Sequence, residues 1–104
     1  LTLVTPALVV KLLQYTYRGP YRDAWISLMP VGGEDGTLAP RFEGHPSGRM
    51  VRAKTGTMSH VSGLSGYLET PAGMRIFSIL VNNYNTGAAE IRSVIDRICI
   101  AALE

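Results

Sequence analysis

Apolar side chains near the start of the chain recur at helical spacing: Val4, Leu8, Leu12 and then Tyr15 follow one another at intervals of four, four and three. Thr5-Pro6 supplies the start, since the Thr oxygen can cap a helix and Pro at its first position gives up only an unused N–H. Gly19-Pro20 supplies the stop, and a second short helix is expected over residues 21 to about 28, ended by Pro30. The pattern then lapses. Residues 31–48 are rich in Gly, Pro, Asp and Ser, with turn signals at Gly32-Gly33, Asp35-Gly36 and His45-Pro46-Ser47-Gly48. They carry no repeat and no low-complexity tract, so they read as a connector inside the domain.

Three strands are expected next, over residues 50–57, 62–70 and 74–82. Thr70-Pro71-Ala72-Gly73 joins the last two as an antiparallel hairpin, because Pro presets the turn and Gly accepts a left-handed backbone. The third strand carries Ile76 and Leu80 on one face and Phe77, Ile79 and Val81 on the other, which predicts burial from both sides inside a larger sheet. A final helix is expected from near Asn85-Thr86, with Ile91, Val94, Ile95, Ile98 and Ala102 on its apolar face and Arg92, Asp96 and Arg97 on its solvated one. The expected class is therefore α+β, an antiparallel sheet with flanking helices.

Composition narrows the possibilities. The 104 residues allow one small domain, and 46% hydrophobic against 17% charged residues describe a globular chain. A net charge of +2 without a run of Lys or Arg argues against nucleic acid as a partner. The most apolar stretches, such as residues 76–81, are far shorter than the roughly 20 residues of a transmembrane helix. The single Cys99 lies in a helical pattern and reads as a buried, inert thiol. Leu1-Thr2-Leu3 shows neither an initiator Met nor a signal-peptide pattern, so the start reads as a processing or introduced boundary.

Chemistry concentrates at Lys54-Thr55-Gly56, extended by Thr57, at the end of the first predicted strand. A Lys-Thr-Gly triplet is one of three elements shared by penicillin-binding proteins and related β-lactamases, beside a Ser-x-x-Lys nucleophile and a Ser-x-Asn element. The triplet alone is a weak signal; its context is stronger, because a hairpin and an amphipathic helix follow it. The segments Met29-Pro30-Val31, Glu34-Asp35-Gly36-Thr37-Leu38, Val51-Arg52-Ala53-Lys54-Thr55-Gly56-Thr57, Leu64-Ser65-Gly66-Tyr67 and Phe77-Ser78-Ile79-Leu80-Val81-Asn82 resemble the D-Ala-D-Ala carboxypeptidase/endopeptidase family of class C penicillin-binding proteins.

The resemblance implies that residues 1–104 are the carboxy-terminal half of a single β-lactamase/transpeptidase-like, penicillin-recognising domain whose nucleophile-bearing part is absent from this sequence. An exposed strand edge can take an extended peptide as an added strand. Lys54 would offer positive potential to a substrate carboxylate, Thr55 and Thr57 hydroxyls would donate to it, and Gly56 has no side chain to obstruct the approach. By the same resemblance the Thr57 N–H would be one oxyanion-hole donor. Lys54 and Thr57 are thus the expected catalytic positions, Thr55 and Gly56 the substrate-binding ones.

The departure from the family pattern is equally specific. None of Ser27, Ser47, Ser59, Ser62, Ser65, Ser78 or Ser93 has Lys three residues on, and no Ser-x-Asn occurs. The nucleophile-bearing part is therefore expected upstream of Leu1, and the segment alone should catalyse nothing. Other constellations are weaker. His45 and His60 lack partners at metal-ligand spacing, so no metal is expected. Lys54 closes a strand, which is wrong for a phosphate loop, and Asp35-Gly36 reads as turn chemistry. Trp25, Tyr15, Tyr17 and Tyr21 are expected to pack rather than to stack on a ligand.

The activity so implied is serine-type carboxypeptidase or endopeptidase action on peptidoglycan stem peptides, with acylation by β-lactams, no cofactor and an extracytoplasmic or periplasmic location. The sheet would need the upstream part of its own domain, or another chain, for completion. Two alternatives stay open: a non-catalytic peptidoglycan-binding or interaction module, and an esterase or β-lactamase on the same scaffold, against which the wording of residues 35–38 speaks.

Overall fold

A computed structural model of the chain describes residues 5–58, 61–82 and 87–103. Helix α1 (Pro6–Arg18) starts as its sequence dictates: the Thr5 hydroxyl accepts the Leu8 N–H at 3.1 Å and Pro occupies the first turn. Helix α2 (Arg22–Ser27) follows, and the connector contains two short 3-10 turns, Gly36–Leu38 and Pro46–Met50. Strands β1 (Val51–Met58), β2 (Val61–Thr70) and β3 (Gly73–Asn82) form an antiparallel sheet in the order β1-β2-β3, and α3 (Ala88–Leu103) ends the described chain. Thr70 pairs with Gly73 across the expected hairpin, with Gly73 at φ 117°. The Asn85-Thr86 caps lie outside the described residues.

Pleating divides the sheet into two faces. On one, Val51, Ala53, Leu64 and Leu68 meet Ile91, Ile95, Cys99 and Leu103 of α3, with Leu38 and Phe42 from the connector, and Phe77, Ile79 and Val81 pack at the margin. On the other, Tyr67 is the centre: Leu13, Val9 and Tyr17 of α1, Trp25 and Ile26 of α2, and Met29, Met74 and Ile76 surround it. The two-sided burial expected of β3 is only partial: Ile76 on one face and Phe77, Ile79 and Val81 on the other are half-buried, Leu80 is exposed, and β3 lies at an edge of the described sheet. The Tyr67 hydroxyl donates to the Leu13 carbonyl at 2.8 Å and accepts from the Trp25 indole N–H at 3.0 Å, so one buried side chain ties both helices to the sheet.

Two helix faces differ from expectation. Leu8, Leu12 and Tyr15 are 56%, 57% and 79% exposed, because α1 turns Val9, Leu13 and Tyr17 to the sheet instead. Tyr15 and Tyr21 accordingly pack on nothing in the core, while Trp25 and Tyr17 do. In α3 the buried stripe is Ile91, Ile95, Cys99 and Leu103, and Ile98 is exposed. Asp96, expected on the solvated side, is buried. It is rotated inward because Arg41 meets it: the guanidinium donates to both carboxylate oxygens, at 2.6, 2.9 and 3.1 Å, and to the Arg92 carbonyl at 3.4 Å. The remaining partner of Asp96 is the Phe42 N–H at 3.3 Å.

Cys99 is buried, and its thiol is pushed up to about 12, first by desolvation, then by the nearby Asp96 carboxylate, with Arg41 opposing. The folded thiol keeps its proton where an unfolded one loses it. Its contribution to stability is therefore whole below the ordinary value of 9.0 and declines as pH rises from there towards 12. At pH 8 Cys99 should resist iodoacetamide in the folded protein and label fully on denaturation, as mass spectrometry would show.

A second expectation concerns the ion pair. Asp96→Ala strands a buried guanidinium and should cost about 3 kcal/mol or more in denaturant unfolding, while the double replacement Arg41→Met with Asp96→Leu should recover most of that loss.

Candidate functional site

The triplet sits at an edge of the sheet. β1 pairs with β2 on one side only, with Lys54 opposite Ser65, Thr55 opposite Leu64, Gly56 opposite Gly63 and Thr57 opposite Ser62. On its outer side β1 meets a single antiparallel bridge, Val31 with Arg52: the Gly32 N–H donates to the Val51 carbonyl at 2.9 Å, and the Ala53 N–H donates to the Pro30 carbonyl at 3.1 Å. Pro30 has no N–H to return to Ala53, so this short ladder ends there. Backbone groups alternate in direction along an antiparallel strand. Since Val51 and Ala53 point outward, Thr55 and Thr57 do so too, along an edge that no other described segment pairs.

Side chains alternate in the same way. Lys54 is exposed on the face that α1 shares and lies in one cross-strand row with Ser65 and Ser78, whose hydroxyls are 2.8 Å apart. Thr55 is half-buried on the opposite face, and its hydroxyl donates to that of Thr37 at 3.1 Å. Thr37 belongs to the Gly36–Leu38 turn, so the connector reaches the triplet. Gly56 is exposed, and a Cβ built there meets nothing within 4 Å. The fold therefore does not demand glycine at that position. Gly66 differs: a Cβ there would collide with the Arg52 carbonyl and stand 2.6 Å from the Ala53 Cα.

Of the residues singled out from sequence, the structure brings Lys54, Thr55, Gly56 and the Thr57 backbone together on one exposed strand end. His45 is exposed in the connector ahead of that strand, His60 lies outside the described residues, and no group of three metal-binding side chains occurs among the described residues. No helix among them is long and apolar enough to cross a membrane. Thr37 and the Pro30 to Gly32 bridge were the parts of this edge without an assigned role. The sequence signals for them were the presence of Pro30, Val31 and Thr37 in the segments that carry the family resemblance and of Gly32 in a turn signal.

The fold recurs in solved structures. The chain superposes on penicillin binding protein 4 from Haemophilus influenzae with a TM-score of 0.82 at 23% identity, covering 97% of this chain and 24% of that one. A second structure of that protein, complexed with a novel β-lactam, gives a TM-score of 0.71 at 25% identity. The class defined is a penicillin-binding, transpeptidase-like fold, of which this chain forms a part.

The sequence then narrows the class: a profile of the D-Ala-D-Ala carboxypeptidase 3 (S13) family matches residues 2–102, and the chain belongs to that family. A D-alanyl-D-alanine carboxypeptidase from Actinomadura sp. (strain R39) is 44% identical over 107 residues, covering 98% of this chain and 20% of the relative. The penicillin-sensitive carboxypeptidase A of Dictyostelium discoideum is 34% identical, covering 93% of this chain and 20% of the relative. The chain thus spans about a fifth of the length of these relatives.

The two glycines should separate in a stability assay. Gly56→Ala should leave the melting curve within about 0.5 kcal/mol of the parent, whereas Gly66→Ala should lose about 1–3 kcal/mol through overpacking.

Proposed function

We propose that the chain is the carboxy-terminal part of one transpeptidase-like domain and supplies the substrate-docking strand of a serine-type D-Ala-D-Ala carboxypeptidase. The observation that carries this reading is the outer edge of β1, where the backbone of Thr55 and Thr57 points outward beside the exposed Lys54. A peptidoglycan stem peptide, or a β-lactam in its place, would add to that edge as an extra strand. Lys54 and Thr55 would hold its carboxylate, Gly56 would leave room for it, and the Thr57 N–H would receive the oxyanion of the tetrahedral intermediate.

The nucleophile belongs to a different part of the intact protein. A Ser there, activated by its companion Lys, would attack the carbonyl between two D-alanines. The second N–H of the oxyanion hole would be its own, the terminal D-alanine would leave, and water would hydrolyse the acyl-enzyme. The reading needs no cofactor, and it places the protein outside the cytoplasm, where peptidoglycan stems are found. Endopeptidase action on cross-links would use the same strand.

The free flanks of the fold favour an incomplete domain. Beside its inward Val9, Leu13 and Tyr17, α1 leaves Leu8, Leu12 and Tyr15 uncovered, and β3 is an unpaired edge among the described residues. Upstream segments of the same domain would complete both.

Penicillin labelling tests the assignment. The intact protein should acquire a stoichiometric penicilloyl adduct on a Ser outside this sequence, and residues 1–104 alone should acquire none. Lys54→Ala removes a contact between two full charges, whereas Thr55→Val removes a hydroxyl donor to the carboxylate, a contact of about 1.5–3 kcal/mol in which only the acceptor is charged. Acylation of the intact protein should therefore slow more with the first replacement than with the second. An adduct on any Ser of the isolated segment would overturn the reading; an intact protein that binds stem peptides without acylation would point to a binding module.

A further inference from the structure

The hydroxyl of Thr55 is already engaged. It donates to the Thr37 hydroxyl at 3.1 Å, and a hydroxyl carries one proton with two acceptor lone pairs. An anion arriving at Thr55 can take that proton only if the pair reorganises. The rearrangement is a rotation of two O–H bonds: Thr55 turns its proton to the anion, and Thr37 turns its own to the Thr55 oxygen. Heavy atoms stay in place, since both side chains are β-branched and stiff about χ1.

Thr37 is well placed to play that part. It stands on the Gly36–Leu38 turn next to Leu38, whose side chain is fully buried. The turn is closed by the Leu38 N–H on the Asp35 carbonyl at 3.0 Å, and the Leu38 carbonyl accepts from Gly33 at 2.8 Å and from Arg41 at 3.1 Å. The exposed Thr37 hydroxyl is thus held by a fixed backbone at one end and reaches β1 at the other.

We propose that Thr37 is a positioning residue of the carboxylate subsite, acting through Thr55: it holds the Thr55 side chain in its rotamer and becomes the donor to Thr55 when Thr55 donates to the ligand carboxylate. The series of hydrogen bonds then runs in one direction, Thr37 to Thr55 to the anion, and each bond polarises the next. Ligands with a carboxylate at this subsite benefit from Thr37, and ligands lacking one do not. The inference rests on the docking-strand reading of residues 54–57.

The test uses the intact protein and a pair of probes, benzylpenicillin and its methyl ester, with the second-order rate of acylation as the readout. Thr37→Val should slow acylation by the acid about three- to ten-fold, the range of one neutral hydrogen bond. It should leave the ester unchanged, and Thr37→Ser should restore the acid. In a Thr55→Val background, adding Thr37→Val should cost nothing further. A loss equal for acid and ester, or full additivity with Thr55→Val, would overturn the inference, as would no loss at all in a Thr37→Val protein whose Thr55→Val counterpart is slowed on the acid. Thr37→Ala provides the same comparison should Thr37→Val fold poorly. If neither Lys54→Ala nor Thr55→Val slows the acid, the docking-strand reading itself fails, and the inference with it.

Discussion

The ion pair of Arg41 with Asp96 sets the position of everything that surrounds the triplet. The connector between Pro30 and β1 has only two short 3-10 turns and one bridge to β1, so most of its backbone is not located by a ladder. A buried guanidinium fixed to α3 does so instead, and the same carboxylate takes the N–H of Phe42, a non-glycine residue held at φ 62°. Such a backbone is sparsely populated and persists where its surroundings determine it. Here the determinants are the carboxylate on one side and the packing of the Phe42 ring on the other. That ring lies so close to Gly32 that a Cβ built there would stand 2.8 Å from it. The consequence reaches the site, because Gly32 and Thr37, the two ends of the connector's grip on β1, lie on the stretch so fixed.

A buried ion pair is weak evidence for stability and better regarded as a means of specifying one arrangement. In this fold it joins residues 55 positions apart across the core. Tyr67 plays the corresponding part on the opposite face, where a single hydroxyl answers to both α1 and α2. Each face of the sheet therefore combines an apolar bulk with a buried polar tie, and the triplet lies between them on a strand that faces both.

The sheet was legible in the sequence because local rules decide it. Pro71 and Gly73 set the hairpin, alternation sets the strands, and Lys54-Thr55-Gly56 closes a run whose neighbours match the family. The faces of the helices were less legible. α1 carries Val9, Leu13 and Tyr17 on one side and Leu8, Leu12 and Tyr15 on the other, both at helical spacing, so periodicity alone cannot say which meets the sheet. Asp96 follows Ile95 at the margin of the α3 stripe, and only the distant Arg41 turns it inward. Long-range electrostatic pairing leaves no trace in a local pattern. The role of Val31 was hidden for the same reason, since one isolated bridge has no period.

The end of that bridge has a directional meaning. Because Pro30 cannot donate, the outer ladder of β1 changes hands at Ala53: towards Val51 it is taken by the chain itself, and from Thr55 onward it is open. A peptide laid antiparallel along the open part runs from Thr57 towards Lys54, and its forward progress is met there by Pro30. On the docking-strand reading that edge would be a slot with a cation at its closed end, where a peptide entering from Thr57 would meet Pro30 and its final residues would lie beside Lys54.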